Sequence, residues 1–276
     1  MYKDLKIRTL VSIVLIAIVV YATLYSRLLF AGFFSLAGLL VLREMLMNMS
    51  QNKAAPSLTL AFPLYALFLA KATGNIAFPW ELILITSAIF LFTIELAKNK
   101  AKAFENISLT GFSALFVALA IHSFIALQQY DLPMDTGVGF FGGRLILSVF
   151  ISVWVCDGMA YFVGSAIGKH KIFPRVSPNK SWEGSIAGLL SAILVLFLLS
   201  SINFVHGFEA WHLIILGIIA GGMGQVGDFA ESLIKRDLGI KDSSNLLPGH
   251  GGAWDRLDSL LFAIPLSYYF IKYFVL

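Results

Sequence analysis

An all-α, polytopic membrane protein with about nine transmembrane helices, N-terminus cytoplasmic and C-terminus outside, is the fold class this sequence predicts. Three observations carry the prediction. Hydrophobic residues make up 58% of the 276 positions and charged residues only 13%, and the mean hydropathy is +0.84, which leaves too little polar material for a soluble surface. Apolar runs long enough to cross about 30 Å of hydrocarbon, at about 1.5 Å per helical residue, recur along the whole chain. The Lys and Arg residues then fall unevenly between alternate connections.

The runs lie at 9–26, 28–42, 57–72, 79–97, 108–127, 145–164, 185–203, 211–229 and 257–275. The first, from Leu10 to Tyr25, resembles those that follow and lacks the small-residue exit site of a cleavable signal peptide, so it is expected to be retained. The runs at 28–42 and 57–72 are short and closely joined to their neighbours, and counts of eight or ten are the nearest alternatives. With the N-terminus inside, the inner segments collect Lys3, Lys6, Arg8, Arg43, Lys53, Lys98, Lys100, Lys102, Lys169, Lys171, Arg175, Lys180, Lys235, Arg236, Lys241 and Arg256, leaving Arg27, Lys71, Arg144 and Lys272 outside. Sixteen against four is a positive-inside pattern. Removing one crossing would reverse every later loop and spoil it.

The connection from Gln128 to Gly143 has no Lys or Arg and carries Asp131 and Asp135, as suits a non-cytoplasmic loop. The two longest polar inner loops, 165–184 and 230–256, both lie in the second half. The chain therefore divides by role into an N-terminal transmembrane helical part, 1–140, and a C-terminal catalytic part, 141–276. A single cysteine, Cys156, excludes an intrachain disulfide and reads as a small buried hydrophobe. Glu44, Glu81, Glu95, His122, His206, His212 and Lys71 fall near span ends or outer loops and are expected to be solvated or at headgroup level.

Chemistry is expected where ions crowd the membrane face, because unpaired charges there cost at least a few kcal/mol each. Asp228, Glu231, Ser232 and Lys235 recur at three- and four-residue intervals and share one helical face. A snorkelling helix end with a Glu231–Lys235 pair is the plain reading of that stripe. Asp228 follows a glycine-rich apolar stretch and is too short to snorkel far, so a cation ligand explains it more economically.

Leu247-Pro248-Gly249-His250-Gly251-Gly252 precedes a helix opening with Ala253-Trp254-Asp255-Arg256-Leu257-Asp258. Glycines that expose N–H groups at a helix start suit an anion such as phosphate. Asp255 and Asp258 share a face, and the helix dipole alone also favours acids there. Magnesium sites use one or two carboxylates plus substrate phosphates, which Asp228 and Asp255 could supply from neighbouring helices.

A third cluster joins Asp157, inside the run 145–164, to Lys169, Lys171, Arg175 and Ser177-Pro178-Asn179-Lys180-Ser181-Trp182-Glu183-Gly184. An intramembrane aspartate marks a functional site or a packing ion pair. The loop suits phosphate and a nucleobase, and an amphipathic interfacial loop is its competing reading. Walker A, His-Glu-x-x-His and Gly-x-Ser-x-Gly patterns do not occur.

The run Ser232-x-x-Lys235-Arg236-x₄-Lys241-Asp242-x₅-Pro248-x-His250-Gly251-Gly252-x-x-Asp255-Arg256-x-Asp258 resembles the signature of phosphatidate cytidylyltransferases, also called CDP-diacylglycerol synthases. Ser177-Pro178-x-Lys180-x-Trp182-Glu183-Gly184 resembles that family's second motif, and the multispanning organisation agrees over essentially the whole chain. Ala253 departs from the family's usual larger aliphatic, and Asp157-Gly158-Met159-Ala160-Tyr161 matches its Asp-Thr/Ser-Gly-Ala-Tyr stretch only loosely.

The resemblance implies that CTP and phosphatidate give CDP-diacylglycerol and pyrophosphate, with Mg²⁺ as one or two divalent cations and a monovalent second ion as an alternative. It implies catalytic roles for Asp228, Asp255, Lys235, Arg236, His250 and Arg256, with the metal on Asp228, Asp255 and Asp258. Substrate contacts are expected from Asp157, Ser177, Lys180, Glu231, Lys241, Asp242, Gly251 and Gly252. The expected partners are CTP, phosphatidate, the bilayer and a second copy in a homodimer, without nucleic acid, and the expected setting is a bacterial inner membrane with the site facing the cytoplasm. CDP-alcohol phosphotransferases and prenyltransferases share the general chemistry but not these motifs. A transporter using Asp157 and Asp228 as ion ligands is the alternative from another class.

Overall fold

The computed structural model describes residues 16–50, 55–99, 101–131, 137–246 and 251–275. Helix α1 spans Ile16–Tyr25. It is followed by α2 (Arg27–Met49), α3 (Leu58–Ala72), α4 (Trp80–Lys98), α5 (Ala103–Gln128), α6 (Phe141–Ile167), α7 (Trp182–Ser201), α8 (Ala210–Ile218), a π-helical turn Ile219–Met223, α9 (Gly224–Asp237), α10 (Trp254–Leu257) and α11 (Leu260–Phe274). No strand occurs among the described residues, and Lys171 and Ser181 form an isolated β-bridge.

Among the described residues the protein is thus all-helical, and six helices there are long and apolar enough to cross a membrane: α2, α4, α5, α6, α7 and the continuous rod Ala210–Asp237 that joins α8 to α9. The remaining apolar runs also coincide with helices, but shorter ones, such as α3 and α11 with 15 residues each. Large apolar side chains, among them Phe92, Phe112, Phe162, Leu190, Leu194 and Leu198, stay exposed along these rods. Bilayer hydrocarbon is the solvent that such faces suit.

Helix α5 is the hub, packed against α2, α3, α4, α6 and α11. Ala114, Val117, Ala118, Ile121 and Phe124 are all buried, a stripe at helical spacing that faces several neighbours at once. Phe34 of α2, Phe124 of α5 and Phe150 of α6 meet with ring centroids 4.8 to 6.0 Å apart. The apolar core is therefore continuous across residue 140. Cys156 is a buried free thiol, as its surroundings in the sequence suggested.

The expectation that Glu44, Glu95 and His212 are solvated is corrected. Helix α2 does not stop at 42 but runs two turns further, through Met45, Leu46 and Met47, which keep it apolar, and this carries Glu44 inside. Glu95 is buried and paired with Lys98 at 2.6 Å, and it accepts a bond from Asn106 Nδ2 at 3.1 Å. His212 is buried because its Nδ1 accepts from the Glu209 amide at the start of α8, while Nε2 lies 3.1 Å from the Phe274 carbonyl.

Candidate active site

The candidate site is assembled from the second half of α6, from α9, from the α10 region and from the loop between α6 and α7. Between α6 and α7 the chain folds back on itself: Trp182 N–H donates to the His170 carbonyl at 2.9 Å and Ile172 N–H to that of Lys180 at 3.3 Å. Ser181 caps α7 by accepting from the Gly184 amide at 3.3 Å. This doubled loop lies along α9. Arg236 Nε donates to the Val176 carbonyl at 3.3 Å, Arg175 stands 3.4 Å from Asp237, and the Phe173 and Phe229 rings meet edge to face.

The loop thereby delivers Lys180 to Asp228, with which it forms a close ion pair while its ammonium lies 4.5 Å from the Phe229 ring centroid. Asp228 also accepts from Ser232 Oγ, one turn along α9, at 3.3 Å. The π-helical turn before α9 inserts an extra residue into the rod, a device that re-aims the face beyond it. At Gly227 that face comes so close to the Asp258 carbonyl that a Cβ there would collide with it. Asp157 from α6, Asp228 from α9 and Asp258 after α10 are near enough for their charges to act on one another.

Deeper in the same cluster, Lys235 bridges two acids, Glu231 at 2.8 Å and Asp255 at 2.6 Å. Asp255 Oδ2 accepts from the amide and hydroxyl of Ser243, both at 2.9 Å, and from the Gly252 amide at 2.7 Å. Burial opposes the ionised Asp255 carboxylate, but the Lys235 ammonium and these amides outweigh it and hold the group at about 2, below its ordinary 3.8. The i to i+4 pair expected on α9 is present, and its lysine reaches a second acid 20 residues away.

Sequence motifs far apart thus meet: Lys180 joins Asp228, and Lys235 joins Asp255. Arg236 is tied to the doubled loop, and Ser177 turns within it. Lys241, Asp242 and Arg256 are exposed around the rim, and Gly251 adopts a left-handed φ of +80°. His250 lies outside the described residues. Glu44, which no motif marked, is the residue sequence reasoning missed. An Arg43-Glu44 pair set between Val41-Leu42 and Met45-Leu46 was the available signal.

Five acidic side chains (Asp157, Asp228, Glu231, Asp255, Asp258) crowd around two ammonium groups, Lys180 and Lys235. The buried Glu231 Oε1 has no hydrogen-bond partner. A cation would relieve both features, so the residues fit one. Among the described residues no group of three His, Cys, Asp or Glu side chains forms a ready-made metal cage.

A model of the cytidylyltransferase family matches residues 6–274. The chain is similar to a phosphatidate cytidylyltransferase of Staphylococcus epidermidis, 34% identical over 265 residues that cover 95% of this chain and 97% of the relative. Proteins of the same name from Staphylococcus haemolyticus and Staphylococcus aureus are 34% identical over 266 residues and 33% over 271, with the same coverage. Matched over nearly its whole length, the chain belongs to the cytidylyltransferase family.

Proposed function

We propose that this protein transfers a cytidylyl group from CTP to phosphatidate, yielding CDP-diacylglycerol and pyrophosphate, as in the activity its relatives are named for. The observation that carries the reading is the acid-rich cluster in which two separate polar loops converge on α9 through Lys180–Asp228 and Lys235–Asp255. An oxygen of the lipid phosphate attacks the α-phosphorus of CTP; the new P–O bond forms as the bond to the β-phosphate breaks, and pyrophosphate departs. Phosphatidate is already largely ionised near neutral pH, so no strong general base is required, and alignment with charge neutralisation supplies the rate.

Asp228 and Asp255, with Asp258, would hold Mg²⁺, which when bound neutralises the triphosphate. Lys180 and Lys235 then exchange carboxylate partners for phosphate oxygens, a move open to flexible ammonium groups. Arg236, Lys241 and Arg256 line the path for pyrophosphate or the lipid headgroup, with His250 and the Gly251 amide beside them, while the Gly252 amide, bound to Asp255 Oδ2, fixes that acid. Asp157, Ser177, Glu231 and Asp242 complete the surroundings of the substrates.

CTP is water-borne and the acyl chains stay in lipid, so the site opens to the cytoplasm and sideways to the inner leaflet of a bacterial inner membrane. Nine crossings, with the N-terminus inside and the C-terminus outside, put both polar loops there, and the sixteen-to-four distribution of bases supports that orientation. Cysteines placed at Lys241 and Lys272 test it, since an impermeant thiol reagent added outside intact cells should label only the second. We further propose a homodimer. The activity is tested with purified protein, isotope-labelled CTP, phosphatidate and Mg²⁺: label should appear in a lipid, and a protein that leaves all label water-soluble is not this enzyme.

A further inference from the structure

The buried carboxylate of Glu44 belongs to the N-terminal helices, yet its hydrogen bonds all go to the loop that carries Asp255. It is only 3% exposed. Oε2 accepts from Ser243 Oγ and from the Trp254 amide, each at 2.9 Å, and Oε1 accepts from Ser244 Oγ at 2.7 Å and the Ala253 amide at 3.0 Å. One turn further along α2, Asn48 Nδ2 donates to the Ser243 carbonyl at 2.9 Å. Two side chains on one face of α2 thus hold a segment about 200 positions away in the chain. Gly252 is fitted between Ser243 and Glu44, since a Cβ there would run into both Ser243 Oγ and Glu44 Oε2.

We propose that Glu44 is a positioning residue for cytidylyl transfer, fixing Ser243 and the Ala253–Trp254 amides so that Asp255 is presented to Lys235 and the substrates. This rests on the reading of the cluster given above. Ser243 Oγ stands 2.9 Å from both Glu44 Oε2 and Asp255 Oδ2, and so links the two carboxylates. The Ser244 hydroxyl and the Ala253 and Trp254 amides converge on Glu44, and the single Ser243 hydroxyl proton is shared between Glu44 Oε2 and Asp255 Oδ2; a carboxylate has about four acceptor sites. A glutamine in its place would offer one acceptor oxygen and turn an NH₂ group toward donors. The N-terminal half is in this way part of the catalytic apparatus without touching a substrate.

The test uses the full-length protein with Glu44→Gln, Glu44→Asp and Ser243→Ala, and with Glu81→Gln as a control that removes an exposed carboxylate elsewhere. Amide hydrogen exchange at Ala253 and Trp254 should quicken at least about tenfold in Glu44→Gln, because opening there is no longer opposed by the carboxylate. In the same variant kcat should fall at least about tenfold while KM for phosphatidate changes less than about twofold, the pattern of a lost transition-state alignment. Glu44→Asp should recover part of the rate, and adding Ser243→Ala to Glu44→Gln should cost less than the two changes separately, as expected for one network.

Unchanged exchange, or kcat within about twofold of the parent in folded Glu44→Gln, overturns the proposal. So does a rate loss that only tracks the unfolded fraction. Should Glu44→Gln fail to fold, Glu44→Asp decides: a severalfold fall in kcat with quickened exchange at Ala253 and Trp254 supports the proposal, and parental turnover removes it. If the parent itself makes no labelled lipid, the functional reading fails, and the exchange measurement still decides whether Glu44 holds the loop.

Discussion

Asp228→Asn separates chemistry from folding most cleanly. The Lys180–Asp228 side chains are 31% and 27% exposed, so solvent screens their attraction and the pair contributes at most about 1 kcal/mol to stability. The amide also keeps an oxygen to accept from Ser232 Oγ at 3.3 Å. At a phosphoryl centre the same charge acts on a triphosphate in a partly enclosed site, where losing one stabilising group costs about 10²–10³ in rate, or roughly 3–4 kcal/mol. Turnover should therefore collapse while the melting temperature barely moves. Labelled-lipid formation at saturating Mg²⁺ gives the first quantity, and thermal unfolding in detergent gives the second. Activity within about threefold of the parent, or a loss matched by equal destabilisation, would refute the reasoning.

Three further outcomes are expected. Asp255→Asn should lose both turnover and stability, because the Asp255 side chain is only 8% exposed and removing one partner of a buried, hydrogen-bonded pair costs about 3–5 kcal/mol; a melting temperature equal to the parent's contradicts this. Since folding lowers the Asp255 carboxyl to about 2 from 3.8, its contribution is complete above about pH 4 and disappears as pH falls from there toward 2. The fall in melting temperature over that window should be shallower in Asp255→Asn, and an identical slope would place the acid sensitivity elsewhere. Glu95→Gln, which weakens a buried bond to Lys98 and Asn106 far from the cluster, should destabilise by about 1–3 kcal/mol with kcat of the folded protein unchanged, and a rate effect beyond the folded fraction would count against the placement of the site.

The helices were legible because hydrocarbon-length apolar runs leave few alternatives; α4 at Trp80–Lys98 and α7 at Trp182–Ser201 lie within a few residues of the runs at 79–97 and 185–203. Errors arose at polar span ends. Glu44 looked terminal because hydropathy fades after Leu42, whereas the helix continues and buries the acid against a loop about 200 positions later. No local pattern encodes such a partner. The stripe Asp228, Glu231, Ser232, Lys235 was readable from helical spacing, and the left-handed turn at Gly251 from its glycine. The π-helical turn at Ile219–Met223 was not readable, since Ile-Ala-Gly-Gly-Met suits an ordinary apolar helix. The attachment of Lys180 to Asp228 depends on how the loop between α6 and α7 doubles back, a tertiary fact that shared sidedness only made possible.

The central claim is that acids from α6, α9 and the α10 region together hold a cation and the phosphates of CTP. A structure determined with CTP and Mn²⁺, the metal located by its anomalous scattering, addresses it most directly. The account predicts a metal peak at about 2.0–2.3 Å from an Asp228 oxygen, with Asp255 or Asp258 in the same shell and Lys180 or Lys235 turned onto phosphate. A metal and triphosphate bound elsewhere, with the Lys180–Asp228 and Lys235–Asp255 pairs left intact, would contradict it.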